Sequence, residues 1–147
     1  MKSMLAARGI LTLETTAERH DSAMAVVQVL VHFATEVMGK TLTDLKVDID
    51  ETLMFTSPIY LMEMLMTARH FGQSPDLYAN IQMSNPKTDQ VTAAFVAAAD
   101  RLRTAARDRD IDAYRSMFRE VKALFGNFTD QALEQSSFLI DRLVERG

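Results

Sequence analysis

Apolar side chains recur at helical spacing along almost the whole chain. Between residues 17 and 38, the positions Met24, Val27, Val31, Ala34 and Met38 keep a 3.6-residue period, which predicts a long first helix with one apolar stripe. Gly39 stands where a left-handed residue would close that helix. Ser57-Pro58 then reads as an N-cap followed by proline in the first turn, where a missing N–H leaves no gap. The helix it opens carries Tyr60, Leu61, Met64, Leu65 and Ala68 and stops at Gly72. The same signal returns at Ser74-Pro75, for a short helix ending near Met83, and Asn85-Pro86 opens a long Ala-rich helix over 87–107. Asp110 caps a helix over 111–125 that Gly126 terminates. Asn127 or Thr129 starts a last amphipathic helix bearing Leu133, Phe138, Leu139 and Leu143.

Residues 9–16, Gly-Ile-Leu-Thr-Leu-Glu-Thr-Thr, break this habit. Their β-branched content and partial alternation predict a strand. A lone strand needs a partner, so it reads either as the last strand of a sheet in a preceding domain or as an edge pairing across a dimer. The expected organisation is a strand-like remnant over 1–16 and an all-α domain over 17–147.

Composition changes this picture little but narrows the function classes. A chain of 147 residues suits one domain, which buries about two-thirds of its unfolded surface. With 48% hydrophobic and 24% charged residues the balance is that of a globular protein. The longest uninterrupted apolar runs fall far short of the roughly 18 residues that span a bilayer, and no signal-peptide pattern opens the chain. The absence of cysteine excludes disulfides, thiolate catalysis and Cys-based zinc sites, and fits a reducing, cytoplasmic compartment best. A net charge of -4 disfavours a nucleic-acid partner. No dinucleotide fingerprint, P-loop, nucleophile elbow or H-E-x-x-H occurs, so the chain offers no motif for binding a cofactor or performing catalysis.

A few polar residues stand out against the helical pattern. His20 shares a helix face with Met24, Val27 and Val31. It reads either as a substrate-binding imidazole with Asp21 beside it, or as a helix-start pair favoured by the dipole. Arg69 follows Leu61, Met62, Leu65 and Met66 near the end of the second helix. Its fork suits a carboxylate; the plainer alternative is a side chain that snorkels to solvent or pairs with helix-end carbonyls. A ligand role for both requires Arg69 and His20 to share one cavity. His32 and His70 lack metal-ligand spacing, and although Glu36 lies four residues after His32, no metal site is expected. Met54, Met62, Met64 and Met66 read as core fillers, and the mixed charges over 101–110 as a solvated face.

Several segments taken in register resemble one family: His20-Asp21-x-x-Met24, Gln28 with His32-Phe33, Thr56-Ser57-Pro58-Ile59-Tyr60, Arg69-His70-Phe71, Pro75-Asp76-Leu77-Tyr78-Ala79-x-Ile81-x-Met83, and Phe118-Arg119-x-Val121 with Leu124-Phe125-Gly126. Their order and spacing are similar to the C-terminal domain of prephenate dehydrogenases, especially the enterobacterial-type chorismate mutase–prephenate dehydrogenases, from about residue 9 to the end. The resemblance implies a multi-helix domain like the C-terminal domain of 6-phosphogluconate-dehydrogenase-like enzymes. It also implies an intertwined homodimer, cytoplasmic, with no membrane or nucleic-acid partner.

The resemblance further implies an oxidative decarboxylation in which NAD or NADP takes hydride from prephenate or arogenate as carbon dioxide leaves. Prephenate then yields 4-hydroxyphenylpyruvate, in tyrosine biosynthesis. In the family, a Rossmann domain binds the cofactor and carries the catalytic His, so this chain is expected to hold neither. Its implied share is substrate binding by Arg69, which takes a carboxylate, and by His20, with His32 and Tyr78 in the region that responds to tyrosine. Leu61 departs from the family, where a second Arg often stands.

Three functions follow. The first is the dimerisation and substrate-binding half of a dehydrogenase, inactive without its Rossmann domain. The alternative is a standalone, non-catalytic helical dimer that binds an aromatic acid such as tyrosine. An independent enzyme using His20 and Arg69 is the least supported, because few basic residues converge on a dianion.

Overall fold

The first helix is longer than its stripe suggests. In the computed structural model of the chain, which describes residues 7–9 and 11–145, helix α1 runs unbroken over Ala17–Asp44. It begins where the Thr16 side chain accepts the Arg19 N–H at 3.2 Å and passes straight through Gly39. A Cβ at Gly39 would overlap the Phe71 ring, so this glycine permits a close helix crossing rather than ending a helix. Midway, Ala25–Leu30 widens into a π-helical turn, a rare form often found at functional sites. Ala25 and Val29 in that turn are buried, Val29 completely.

The remaining helices begin and end close to the predicted signals. Helix α2, Ile49–Met54, is an exception; capped by Asp48, which accepts the Glu51 N–H at 3.1 Å, it is too short to show a period. Helix α3, Pro58–Phe71, starts at Ser57, whose hydroxyl accepts the Tyr60 N–H at 3.2 Å, and stops at Gly72. Helix α4 covers Pro75–Ser84. Helix α5, Thr88–Asp108, starts one residue later than expected, because the Asn85 side chain takes the Lys87 N–H at 2.9 Å in a local turn. Asp110 caps α6, Ile111–Phe125, and Gly126 closes it at φ 52°; α7 is Phe128–Val144.

The predicted strand is not formed. Residues 11–16 carry no regular secondary structure, Leu11 and Leu13 lie open to solvent, and Ile10 is outside the described residues. A strand is held by hydrogen bonds to a neighbour, and the described residues contain no other strand.

α1 is the spine on which the rest assembles. α3 returns antiparallel along its C-terminal half, α5 crosses the π turn, α4 bridges the two, and α6 and α7 fold back so that α7 reaches α3. Within one chain this arrangement leaves little core. The buried apolar residues are Ala25, Val29, Met64 and Ala105, whereas Val27 and Val31 on α1, Phe118 and Val121 on α6, and Phe138 and Leu139 on α7 stay exposed. Of the four methionines expected to fill the core, Met64 is buried but Met54 and Met66 are open. Total exposure is 12,048 Å², whereas a compact chain of this mass would show about 7,500 Å². The excess is larger than one side of a permanent dimer buries, and the exposed, extended residues 11–16 contribute to it.

Length and composition also make α1 apolar enough to cross a membrane. Counting uninterrupted runs missed this, because Gln28, His32 and Glu36 punctuate the helix. Glu36 pairs with His70 of α3 and Gln82 of α4, polar partners that lipid would not provide.

Candidate functional site

His32 and Glu36 are four residues apart on α1 and so project to one side, toward the meeting point of α1, α3 and α4. α3 brings His70 there, and α4 brings Tyr78 and Gln82, again four residues apart. The nearly buried His70 places Nε2 3.1 Å from Glu36 Oε1. Its ring stacks on Tyr78, with centroids 3.8 Å apart and planes 28° from parallel. His32 stands edge-on to Tyr78 at 4.9 Å and 5.4 Å from His70. Gln82 donates to the Val29 carbonyl at 3.2 Å and to Glu36 Oε2 at 3.5 Å, tying α4 to the π turn.

The electrostatics of this junction are uneven. His32 Nδ1 is buried without a hydrogen-bond partner. A buried N–H left unpaired is expensive, so the neutral ring with its proton on Nε2 is the form that fits. Burial pushes the His32 pKa below its ordinary value, the neighbouring His70 pushes the same way, and Glu36 opposes them. The cluster presents aromatic walls, one carboxylate and two imidazoles. Among the described residues no group of three or more His, Asp or Glu side chains is placed to hold a metal.

The other expected site residues lie apart from this cluster. His20, 59% exposed in its side chain, sits at the start of α1 with Nδ1 3.3 Å from Asp21 Oδ1. The Asn85 side chain donates to the Asp21 carbonyl at 2.9 Å and pins the approach to α5 there. Arg69 is exposed in the last turn of α3, its guanidinium without a partner among the described residues. Its neighbour His70 contacts Glu36, 16 residues beyond His20, so roughly 24 Å of helix separates the two levels at 1.5 Å per residue. One chain therefore does not bring His20 and Arg69 into a common cavity. It does bring His32 to Tyr78. His70 and Gln82 were not singled out in the sequence, because their shared partner Glu36 lies 34 and 46 residues away.

The profile described as "Prephenate dehydrogenase, dimerization domain" matches residues 16–120. The chain belongs to this family. It is 36% identical over 110 residues, 75% of its length, to a probable arogenate/prephenate dehydrogenase of Methanocaldococcus jannaschii. It is 33% identical over 125 residues, 85% of its length, to the T-protein of Enterobacter agglomerans. It is also 28% identical over 123 residues, 84% of its length, to a 4-amino-4-deoxyprephenate dehydrogenase of Streptomyces pristinaespiralis. These alignments cover 25%, 34% and 42% of the relatives, so the chain spans a quarter to two-fifths of their length. The α1–α3–α4 junction lies wholly inside the matched dimerization domain, whereas α7 lies beyond it.

Proposed function

We propose that this dimerization domain forms a homodimer and supplies the substrate-holding half of a prephenate or arogenate dehydrogenase acting in tyrosine biosynthesis in the cytoplasm. The observation that carries the dimer is the core itself: among the described residues only Ala25, Val29, Met64 and Ala105 are buried apolar side chains, beneath helices whose apolar faces lie open. A second copy of α6 and α7 laid over α1 is the occupant whose chemistry matches those faces. Arg69 carries the substrate reading: an exposed guanidinium without a partner among the described residues, suited to a carboxylate. Because His20 lies at the other end of α1, the site is completed between chains or against the nucleotide-binding domain, to which residues 1–16 would belong.

The residues of this chain do not fit a dinucleotide, since they include no glycine-rich phosphate loop. In the full enzyme a separate nucleotide-binding domain would hold NAD or NADP, which would supply the hydride-accepting chemistry. This chain's share is to bind and orient the substrate through Arg69 and His20. His32 and Tyr78, in the part-buried junction, are assigned to binding an effector such as tyrosine.

Two measurements test this reading. The isolated chain mixed with prephenate and NAD should show no turnover; appreciable turnover would place a cofactor site in this chain and overturn the assignment. Calorimetry with prephenate should show binding to the dimer that Arg69→Gln weakens at least about tenfold, the loss expected for a charge-assisted bidentate pair. Equal affinity in the variant removes Arg69 from the site. The alternative, a non-catalytic dimer that binds tyrosine, predicts tyrosine binding that depends on Tyr78 and no binding of prephenate.

A further inference from the structure

The α1–α3–α4 junction holds two imidazoles against one carboxylate, and only one of them is served. His70 Nε2 lies 3.1 Å from Glu36 Oε1, whereas His32 Nδ1 is buried with no acceptor. The two rings are 5.4 Å apart, and Tyr78 packs against both, at 3.8 Å from His70 and 4.9 Å from His32. The Gln82 amide closes the arrangement by gripping the Val29 carbonyl of the π turn. We propose that His32 is the proton sensor of a latch, holding α4 on α1 while its ring is neutral and releasing α4 when it is protonated.

Protonation puts an N–H at Nδ1, where nothing accepts it, and a buried unpaired donor opposes the closed packing. It also sets a positive charge beside His70, which already occupies the Glu36 carboxylate. The groups facing His32 are few. Glu36 comes from its own helix α1, His70 from α3, and Tyr78 with the uncharged Gln82 from α4; the charged influences on the ring are His70 and Glu36. From α5, Phe95 packs on the adjacent Phe33 and brings no charge. Among the described residues no second carboxylate faces His32 to receive the proton's charge.

Relief requires Tyr78 to leave the two rings. Tyr78 and Gln82 are one turn apart on α4, so the same movement loosens the bond to Val29. The π turn, whose carbonyl Gln82 holds, is where α5 crosses α1. A local protonation at His32 is thereby coupled to the main helix crossing of the domain. The direction is fixed by linkage. The closed junction keeps His32 below its ordinary pKa, so the open form takes up the proton first. Closure is complete above the ordinary histidine value and weakens as pH falls from there toward the lowered one.

The test is a titration of the 147-residue chain followed by NMR at the imidazole C–H groups, the Tyr78 ring and the Gln82 side-chain amide, from about pH 8 to about pH 5. His32 should titrate below its ordinary value, with Tyr78 and Gln82 shifting at the same midpoint. In parallel, the melting temperature should fall across the His32 titration. His32→Phe, which keeps an aromatic ring but cannot be protonated, should remove that fall. The proposal is overturned if His32 titrates at or above its ordinary value, if Tyr78 and Gln82 stay still through its titration, or if His32→Phe loses stability with acid as steeply as the parent. Should His32→Phe fail to fold, the coupled midpoints in the unmodified chain decide the matter alone.

Discussion

Phe118→Asp isolates the contribution of the exposed α6 face to assembly. Phe118 stacks on Tyr114 but leaves 64% of its surface open. A covered aromatic side chain buries about 150–250 Å², so roughly 130 Å² remains for a partner to cover. At about 25 cal/mol per Å² this amounts to about 3 kcal/mol per copy. A two-fold interface uses the residue twice, giving about 6 kcal/mol in all, or roughly four orders of magnitude in the dimer dissociation constant. Rim placement would return less, but an uncompensated carboxylate in the interface adds to the loss. Within the monomer the cost is small, because Asp and Phe have similar helix propensities and the site is open. Sedimentation equilibrium over a concentration series, with helix content followed by circular dichroism, reads the effect. A dissociation constant within about threefold of the parent would remove α6 from the interface and refute the area argument.

Two substitutions test the packing and backbone of the single chain. Gly39→Val drives new methyl groups into the Phe71 ring and is expected to lower unfolding stability by about 1–3 kcal/mol; adding Phe71→Ala should recover part of that loss in a denaturant-melt double-mutant cycle. Arg109 closes α5 in the left-handed region at φ 56°, so Arg109→Gly should stabilise by about 1 kcal/mol and raise the melting temperature by about 2–4 °C.

What could be read from the sequence was local. Ser57, Asp110, Gly72 and Gly126 act on backbone groups within four residues of themselves, so the limits of α3 and α6 were visible as signals. Gly39 misled for the opposite reason. Its role depends on Phe71, 32 residues away, and the same residue type serves a stop or a crossing. The π turn left no trace in the periodicity; its Val29 carbonyl is taken by Gln82, 53 residues on. The candidate junction divided along the same line. His32 and Tyr78 were noticed through family resemblance, whereas the His70 to Glu36 contact required the antiparallel return of α3. The expected strand is not formed over residues 11–16, because a strand's stability resides in a neighbouring strand and none occurs among the described residues. Met64 is core as expected, whereas exposed Met54 and Met66 show the same limit one level higher, since hydrophobic pattern alone does not say what covers an apolar face.

The open α1 face carries the most weight. Its apolar side chains pass a composition test for a membrane span, yet His32 and Glu36 are engaged by α3 and α4, and the domain family is one of dimerization. A second protein surface satisfies all three facts. The most direct test is therefore the mass and helix content of the unmodified chain in detergent-free buffer, measured by sedimentation velocity and circular dichroism during serial dilution. The account predicts a dimer of two 16.5 kDa chains whose helicity falls as dilution separates it. A monomer that keeps full helicity and melts cooperatively at every concentration would contradict it.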